Sequence, residues 1–128
     1  MDVNKPEIRA EVEAVFARYE AALVSNDVAV LDELFFTAPT TVRYGVAENL
    51  YGIEAIRAFR LARPSAALDR TLADTVITTY GDDFATASTL FYRGAPNGKV
   101  GRQMQTWARM PAGWRVVAAH VSVIDEPS

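Results

Sequence analysis

Residues 69–124 read DRTLADTVITTYGDDFATASTLFYRGAPNGKVGRQMQTWARMPAGWRVVAAHVSVI, and four runs within that stretch decide the fold. The runs at about 69–80, 83–93, 99–110 and 113–124 alternate or stay continuously apolar, as strands do. Turn signals separate them: Gly81-Asp82, Gly94-Ala95-Pro96-Asn97-Gly98 and Pro111-Ala112-Gly113. Connections this short make the runs antiparallel neighbours. The C-terminal half therefore predicts one long antiparallel sheet.

Upstream, the periodicity changes from two to that of a helix. Ile8, Val12, Val15, Phe16, Tyr19 and Leu23 form one buried stripe. Asn4 with Glu7 three residues on suggests a capping box, and Pro6 suits a first turn. Ser25-Asn26-Asp27 breaks this helix and caps a second, whose apolar face is Val30, Leu31, Leu34 and Phe35. Thr41–Val46 reads as a strand and Asn49–Tyr51 as a short second one. Gly52 opens a third helix with Ile53, Ile56 and Phe59 inward, and Pro64 stops it. Three helices ahead of a strongly curved, mainly antiparallel sheet make an α+β cone, expected as a single domain over 1–128. The mouth of such a cone is the natural small-molecule site.

Bulk properties narrow the function. The 128 residues are half hydrophobic and 23% charged, and a chain of this length can bury a core without staples. With no cysteine there is no disulfide, thiolate nucleophile or zinc-thiolate site. The net charge of −3 lacks the basic field of a nucleic-acid binder. No stretch is long enough to span a membrane. The N-terminus MDVNKPEIRAEVEA is acidic without an apolar h-region, so a soluble cytoplasmic protein is expected. Eleven of the 13 basic residues are Arg, a skew that base composition of the genome can produce without any function.

Several residues can carry chemistry. Tyr19 lies on the buried stripe, so its phenol is either tied to a backbone carbonyl or free to act as a pocket donor or general acid. Alternation in the first strand puts Thr41, Arg43 and Gly45 on one face and Val42, Tyr44 and Val46 on the other. If the valine face meets the core, Arg43 is solvated; if not, its planar fork can clamp a carboxylate inside the cone. Arg57, Arg60 and Arg63 suit the negative C-terminal end of the third helix and read either as a solvated face or, for Arg60 and Arg63, as side chains that reach the cone mouth. Arg70 opens the next strand in a similar role. His120 is the sole histidine, and Gln103, Gln105 and Trp107 share one strand face. One His without Cys argues against a conventional zinc site, and no Gly-rich loop matches a phosphate cradle, so no metal or cofactor is expected. Asp74 could serve as a base, without support from its neighbours.

The run Arg18-Tyr19-Glu20-Ala21-Ala22-Leu23, Ser25-Asn26-Asp27 and Leu31-Asp32-Glu33-Leu34-Phe35 resembles the AtzH-like (HpxZ-type) branch of the NTF2-like superfamily. Thr41-Val42-Arg43-Tyr44-Gly45, Glu48-Asn49-Leu50-Tyr51-Gly52, Ile56-Arg57-Ala58-Phe59-Arg60, Arg63-Pro64, Asp69-Arg70-Thr71 and the run from Trp114 to Ser122 continue the likeness. The resemblance implies an NTF2-like cone, a homodimer through the sheet, and a place in catabolism of nitrogen-rich metabolites. One member converts 1,3-dicarboxyurea to allophanate in cyanuric acid breakdown; others are associated with oxalurate and purine catabolism. It assigns the chemistry to a tyrosine and an arginine, matched here by Tyr19 in Arg-Tyr-Glu and Arg43 in Val-Arg-Tyr-Gly. That places Arg43 inside the cone, against the valine-inward alternative.

The expected activity is removal of a carboxylate from a small anionic N-carboxylated urea. Tyr19 and Arg43 are the catalytic residues, with Arg60, Arg70, Gln105 and His120 binding substrate. Two alternatives stand beside it. One is a non-catalytic metabolite binder or accessory protein for a neighbouring amidase. The other is a cone isomerase or dehydratase with a greasy pocket and an Asp or His base.

Overall fold

Helix α1 (Pro6–Ser25) buries Ile8, Val12, Phe16, Tyr19 and Leu23 of the predicted stripe and adds Ala22, while Val15 is only partly buried. The computed structural model describes residues 1–64 and 69–127. Pro6 sits in the first turn, but the expected capping box is not made. Asn4 is instead left-handed, at φ 58°, and its Oδ1 accepts from the backbone N–H of Thr79. A short polar side chain tolerates that conformation, and here it ties the helix start to the sheet. Asn26 ends α1 in the left-handed region, and Asp27 caps α2 (Val28–Leu34) by accepting from Val30 N–H at 3.2 Å.

Strands β1 (Val42–Tyr44) and β2 (Asn49–Tyr51) form a small hairpin, and α3 (Ile53–Ala62) follows directly. Gly52 allows this junction: it is buried at φ +86°, a conformation that costs a side-chain-bearing residue strain. β3 (Thr71–Tyr80), β4 (Phe84–Tyr92), β5 (Lys99–Met110) and β6 (Gly113–Asp125) match the four sequence runs to within two residues. The sheet order is β2-β1-β6-β5-β4-β3. Every pairing is antiparallel except β1 with β6, which is parallel.

Two irregularities bend the sheet. In β3 the register shifts between Ala73 and Val76, with Asp74 at φ 52°. In β6, Thr106 pairs with Ala118 but Trp107 pairs with Val116, which leaves Val117 as an extra residue. Such a bulge reverses which side chains face inward beyond it. Trp114 and Val116 are buried before the bulge, Ala119 after it.

The core joins the three helices to the concave face. Val12, Leu31, Leu34, Phe35, Ile56, Trp107 and Val116 are each at most 1% exposed. Full burial of an aliphatic side chain of this size contributes about 1.5–3 kcal/mol. The Arg57–Asp32 ion pair, at 2.6 Å, staples α3 to α2 on the outside. Among the described residues no helix is long and apolar enough to cross a membrane.

Gly101 lies across from Phe91, and a Cβ added there would overlap the ring. The Arg70 guanidinium stacks on that same ring, 4.6 Å from its centroid, so the ring has little freedom to retreat. Gly101→Ala should therefore destabilise the fold by about 1–3 kcal/mol. A chemical denaturation series checks this; an unchanged midpoint would mean that Phe91 moves freely.

Candidate active site

Parallel pairing with β6 decides where Arg43 points. Arg43 lies beside Ala119 and Tyr44 beside His120. Because the bulge has reversed the alternation, Ala119 faces in and His120 out. Arg43 therefore enters the cone and Tyr44 is exposed, the opposite of a valine-inward strand. Thr41, on the same face as Arg43, is 1% exposed and donates to the Phe36 carbonyl at 2.8 Å.

The cavity so formed is lined by Tyr19, Arg43, Phe59, Arg60, Arg63, Arg70, Arg93, Gln103 and a few aliphatic side chains, and holds about 50 Å³. A cavity this small takes only a compact occupant. α1 supplies Tyr19, β1 supplies Arg43, α3 and its end supply Arg60 and Arg63, and β5 supplies Gln103.

Tyr19 is wedged between Phe35 and Trp107, with ring centroids 6.3 Å away in both cases. The side chain is 6% exposed, yet its hydroxyl makes no protein hydrogen bond among the described residues. Among the described residues it has no backbone carbonyl partner of the kind a core tyrosine takes, and Tyr19 belongs to the cavity wall.

The arginines fall into two classes. Arg43 donates from Nη1 to Glu48 Oε1 at 2.9 Å and stacks over Phe59 at 5.3 Å. Glu48 Oε2 in turn accepts from Ala47 N–H, and any Cβ on Gly45 would collide with this carboxylate. Arg70, its side chain 1% exposed, is committed to Glu20 through Nε and Nη2 and to Gln103 Oε1 at 2.9 Å. Arg60 and Arg63, by contrast, have no carboxylate partner among the described residues. Arg60 is 6% exposed and stacks 4.8 Å over Phe35; Arg63 reaches Asn26 Oδ1 at 3.3 Å. Burial pushes both guanidinium groups below their ordinary value. The positive charge of Arg43 acts in the same direction on each, and the Tyr19 phenol opposes it.

Thus the structure brings together Tyr19, Arg43, Arg60 and Arg70 of the expected site residues. It does not bring in Gln105 or His120. Gln105 is buried in the core, its Oε1 accepting from the Trp107 indole N–H at 3.0 Å. His120 is exposed on the convex face beside Tyr44, with rings 6.4 Å apart. The Val117 bulge is the reason, since unbroken alternation from Trp114 and Val116 would have carried His120 inward. Asp74 is exposed at the β3 bulge, outside the cavity lining. Arg93 had no signal in its neighbourhood, whereas Gln103 shows in its alternation with Gln105 and Trp107. Among the described residues no cluster of His, Asp and Glu could hold a metal ion.

A family model described as AtzH-like matches residues 1–127. A crystal structure of a protein of unknown function from Pectobacterium atrosepticum is 66% identical, with 97% of this chain and 96% of that one covered at a TM-score of 0.94. A cystatin-like fold protein from Burkholderia xenovorans is 53% identical, with 99% of both chains covered, also at 0.94. An NTF2-like superfamily protein from Salmonella enterica shares 24% identity over 95% of this chain and 93% of its own, with a TM-score of 0.74, a likeness of fold. No curated protein matches the chain.

Proposed function

The chain belongs to the AtzH-like family of the NTF2-like superfamily, and on that footing we propose that it removes a carboxylate from an N-carboxylated urea of the 1,3-dicarboxyurea type. The observation that carries this proposal is the Tyr19 hydroxyl, without a protein hydrogen bond among the described residues and sharing one small cavity with Arg43. A core tyrosine would have been satisfied by the backbone. A phenol held among guanidinium groups is arranged to give a proton to an anion. The arginine lining also fits an anionic substrate better than the apolar one that an isomerase or dehydratase would take.

In the proposed reaction the bond between nitrogen and the carboxylate carbon breaks. Its electron pair stays on nitrogen, and carbon dioxide departs. The nitrogen takes a proton from Tyr19, which is restored from solvent, and allophanate remains. General acid help of this kind contributes about 10²–10⁴-fold. Arg43 holds a carboxylate by charge-assisted hydrogen bonds and keeps the scissile bond beside the phenol. N-carboxy compounds also lose carbon dioxide unaided, so a modest catalyst suffices. The proposal includes a homodimer through the convex face of the sheet, where Tyr44, Phe84 and Met104 are exposed.

The test is the decay of 1,3-dicarboxyurea, generated enzymatically in situ, with and without the protein. Acceleration proportional to protein concentration is expected. Binding without acceleration would replace the enzyme with a metabolite binder or an accessory protein for an amidase.

A further inference from the structure

Among the described residues, five buried side-chain polar atoms have no hydrogen-bond partner. Three of them, Arg60 Nη1, Arg63 Nε and Gln103 Nε2, belong to side chains that line the active cavity. All three are N–H donors. The orientation of Gln103 is fixed by its neighbour: Oε1 accepts from Arg70, so the amide nitrogen is the group left over. A buried donor without an acceptor costs about 1–3 kcal/mol, more when charged. Three such donors on side chains lining one cavity, with no orphaned acceptor among those side chains, fit an occupant rich in acceptors, such as a carboxylate.

Charge gives the same answer. Arg43 and Arg70 already hold Glu48 and Glu20, whereas Arg60 and Arg63 have no carboxylate partner among the described residues. Arg60 is more than nine-tenths buried and lies near the positive charges of both Arg63 and Arg43. Removing such charges from water without a counter-ion is strongly unfavourable. An arrangement of this kind persists in the empty protein only at a cost to stability, and a bound anion relieves it.

We propose that Arg60 and Arg63 form a second carboxylate subsite, distinct from Arg43, so that the cavity selects compact two-headed dicarboxylates over single-headed anions. The subsite deepens the N-carboxylated urea proposal and rests on it for the identity of the cavity as a substrate site. Arg43 and Tyr19 take the carboxylate that leaves. Arg60 and Arg63 grip the one that stays, with the Gln103 amide within the same wall. A substrate reduced to one carboxylate loses half its hold, which favours release of the product.

Glutarate tests this without any turnover, because it has the chain length of 1,3-dicarboxyurea but no C–N bond to break. By titration calorimetry, the wild type should bind glutarate at least about tenfold more tightly than butyrate or sulfate. Arg60→Met and Arg63→Gln should each weaken glutarate binding by at least about tenfold and leave butyrate binding little changed. Unliganded Arg60→Met should also melt higher than the wild type, since an apolar side chain replaces an unpaired buried charge. A merely structural arginine would give a lower melting temperature or a misfolded variant, and either result overturns the subsite. So does wild-type protein that fails to prefer glutarate, or undiminished glutarate binding in Arg63→Gln. Selective glutarate binding without decay of 1,3-dicarboxyurea would remove the reaction and keep the subsite. Turnover with no glutarate preference would do the reverse.

Discussion

Tyr19→Phe is expected to lower the turnover of 1,3-dicarboxyurea by about 10²–10⁴-fold while the protein stays folded. The substitution removes one oxygen and nothing else. The ring keeps its contacts with Phe35 and Trp107. The hydroxyl makes no protein hydrogen bond among the described residues, so no buried partner is orphaned. The melting temperature should therefore hold or rise slightly. KM should change less than kcat, because the proton is needed as the C–N bond breaks rather than on binding. Steady-state kinetics beside a thermal melt separate these effects. Wild-type turnover in a folded Tyr19→Phe protein would end the assignment of the phenol.

Arg43→Ala should reduce kcat/KM by about 10²–10³-fold, the size expected when a partly buried charge partner of an anion is truncated. Arg43 also neutralises Glu48, so the alanine variant leaves an unpaired carboxylate behind the cavity lining that repels an anionic substrate. The double variant Arg43→Ala, Glu48→Gln removes that repulsion. It should recover part of KM but little of kcat. Arg43→Lys separates charge from shape. It restores the positive charge while losing the planar fork, and should remain poor. Full activity in Arg43→Lys would show that only net charge matters at this position.

Glu48 also explains a small feature of the hairpin. Its carboxylate folds back over Gly45, where a Cβ would overlap it. The glycine in Val-Arg-Tyr-Gly thus makes room for the partner of the arginine two residues earlier. A sequence pattern carries the glycine but not this reason for it.

Local rules were enough for most of the framework. The four C-terminal runs, their turns, the buried stripe of α1 and the Asp27 cap all follow from periodicity and turn chemistry, which act between near neighbours. They failed at Asn4, whose cap was diverted to Thr79, a residue far along the chain. Tyr19 and Arg43 were identifiable as a pair from the resemblance, while the alternation of their own segments left each ambiguous. Arg60 and Arg63 showed only as arginines able to reach the mouth, and nothing in the sequence said that they would lack a carboxylate partner among the described residues. Arg57, Arg60 and Arg63 look alike in sequence, and only the packing of α3 distinguishes the first, paired with Asp32, from the others.

The amino-acid sequence alone therefore determines an α+β order of helices and a mainly antiparallel sheet, with the four C-terminal strands placed to within two residues, while the strand expected at 41–46 shrinks to Val42–Tyr44. Which side chains enter the cone is a different matter, settled by the extra residue at Val117 and the parallel register of β1 on β6. One inserted residue turns every later side chain to the other face, so His120 goes out and Arg43 comes in. Strand periodicity is a local property. The phase of one strand relative to another is a property of their hydrogen-bonded pairing, and it exists only once the chain has folded.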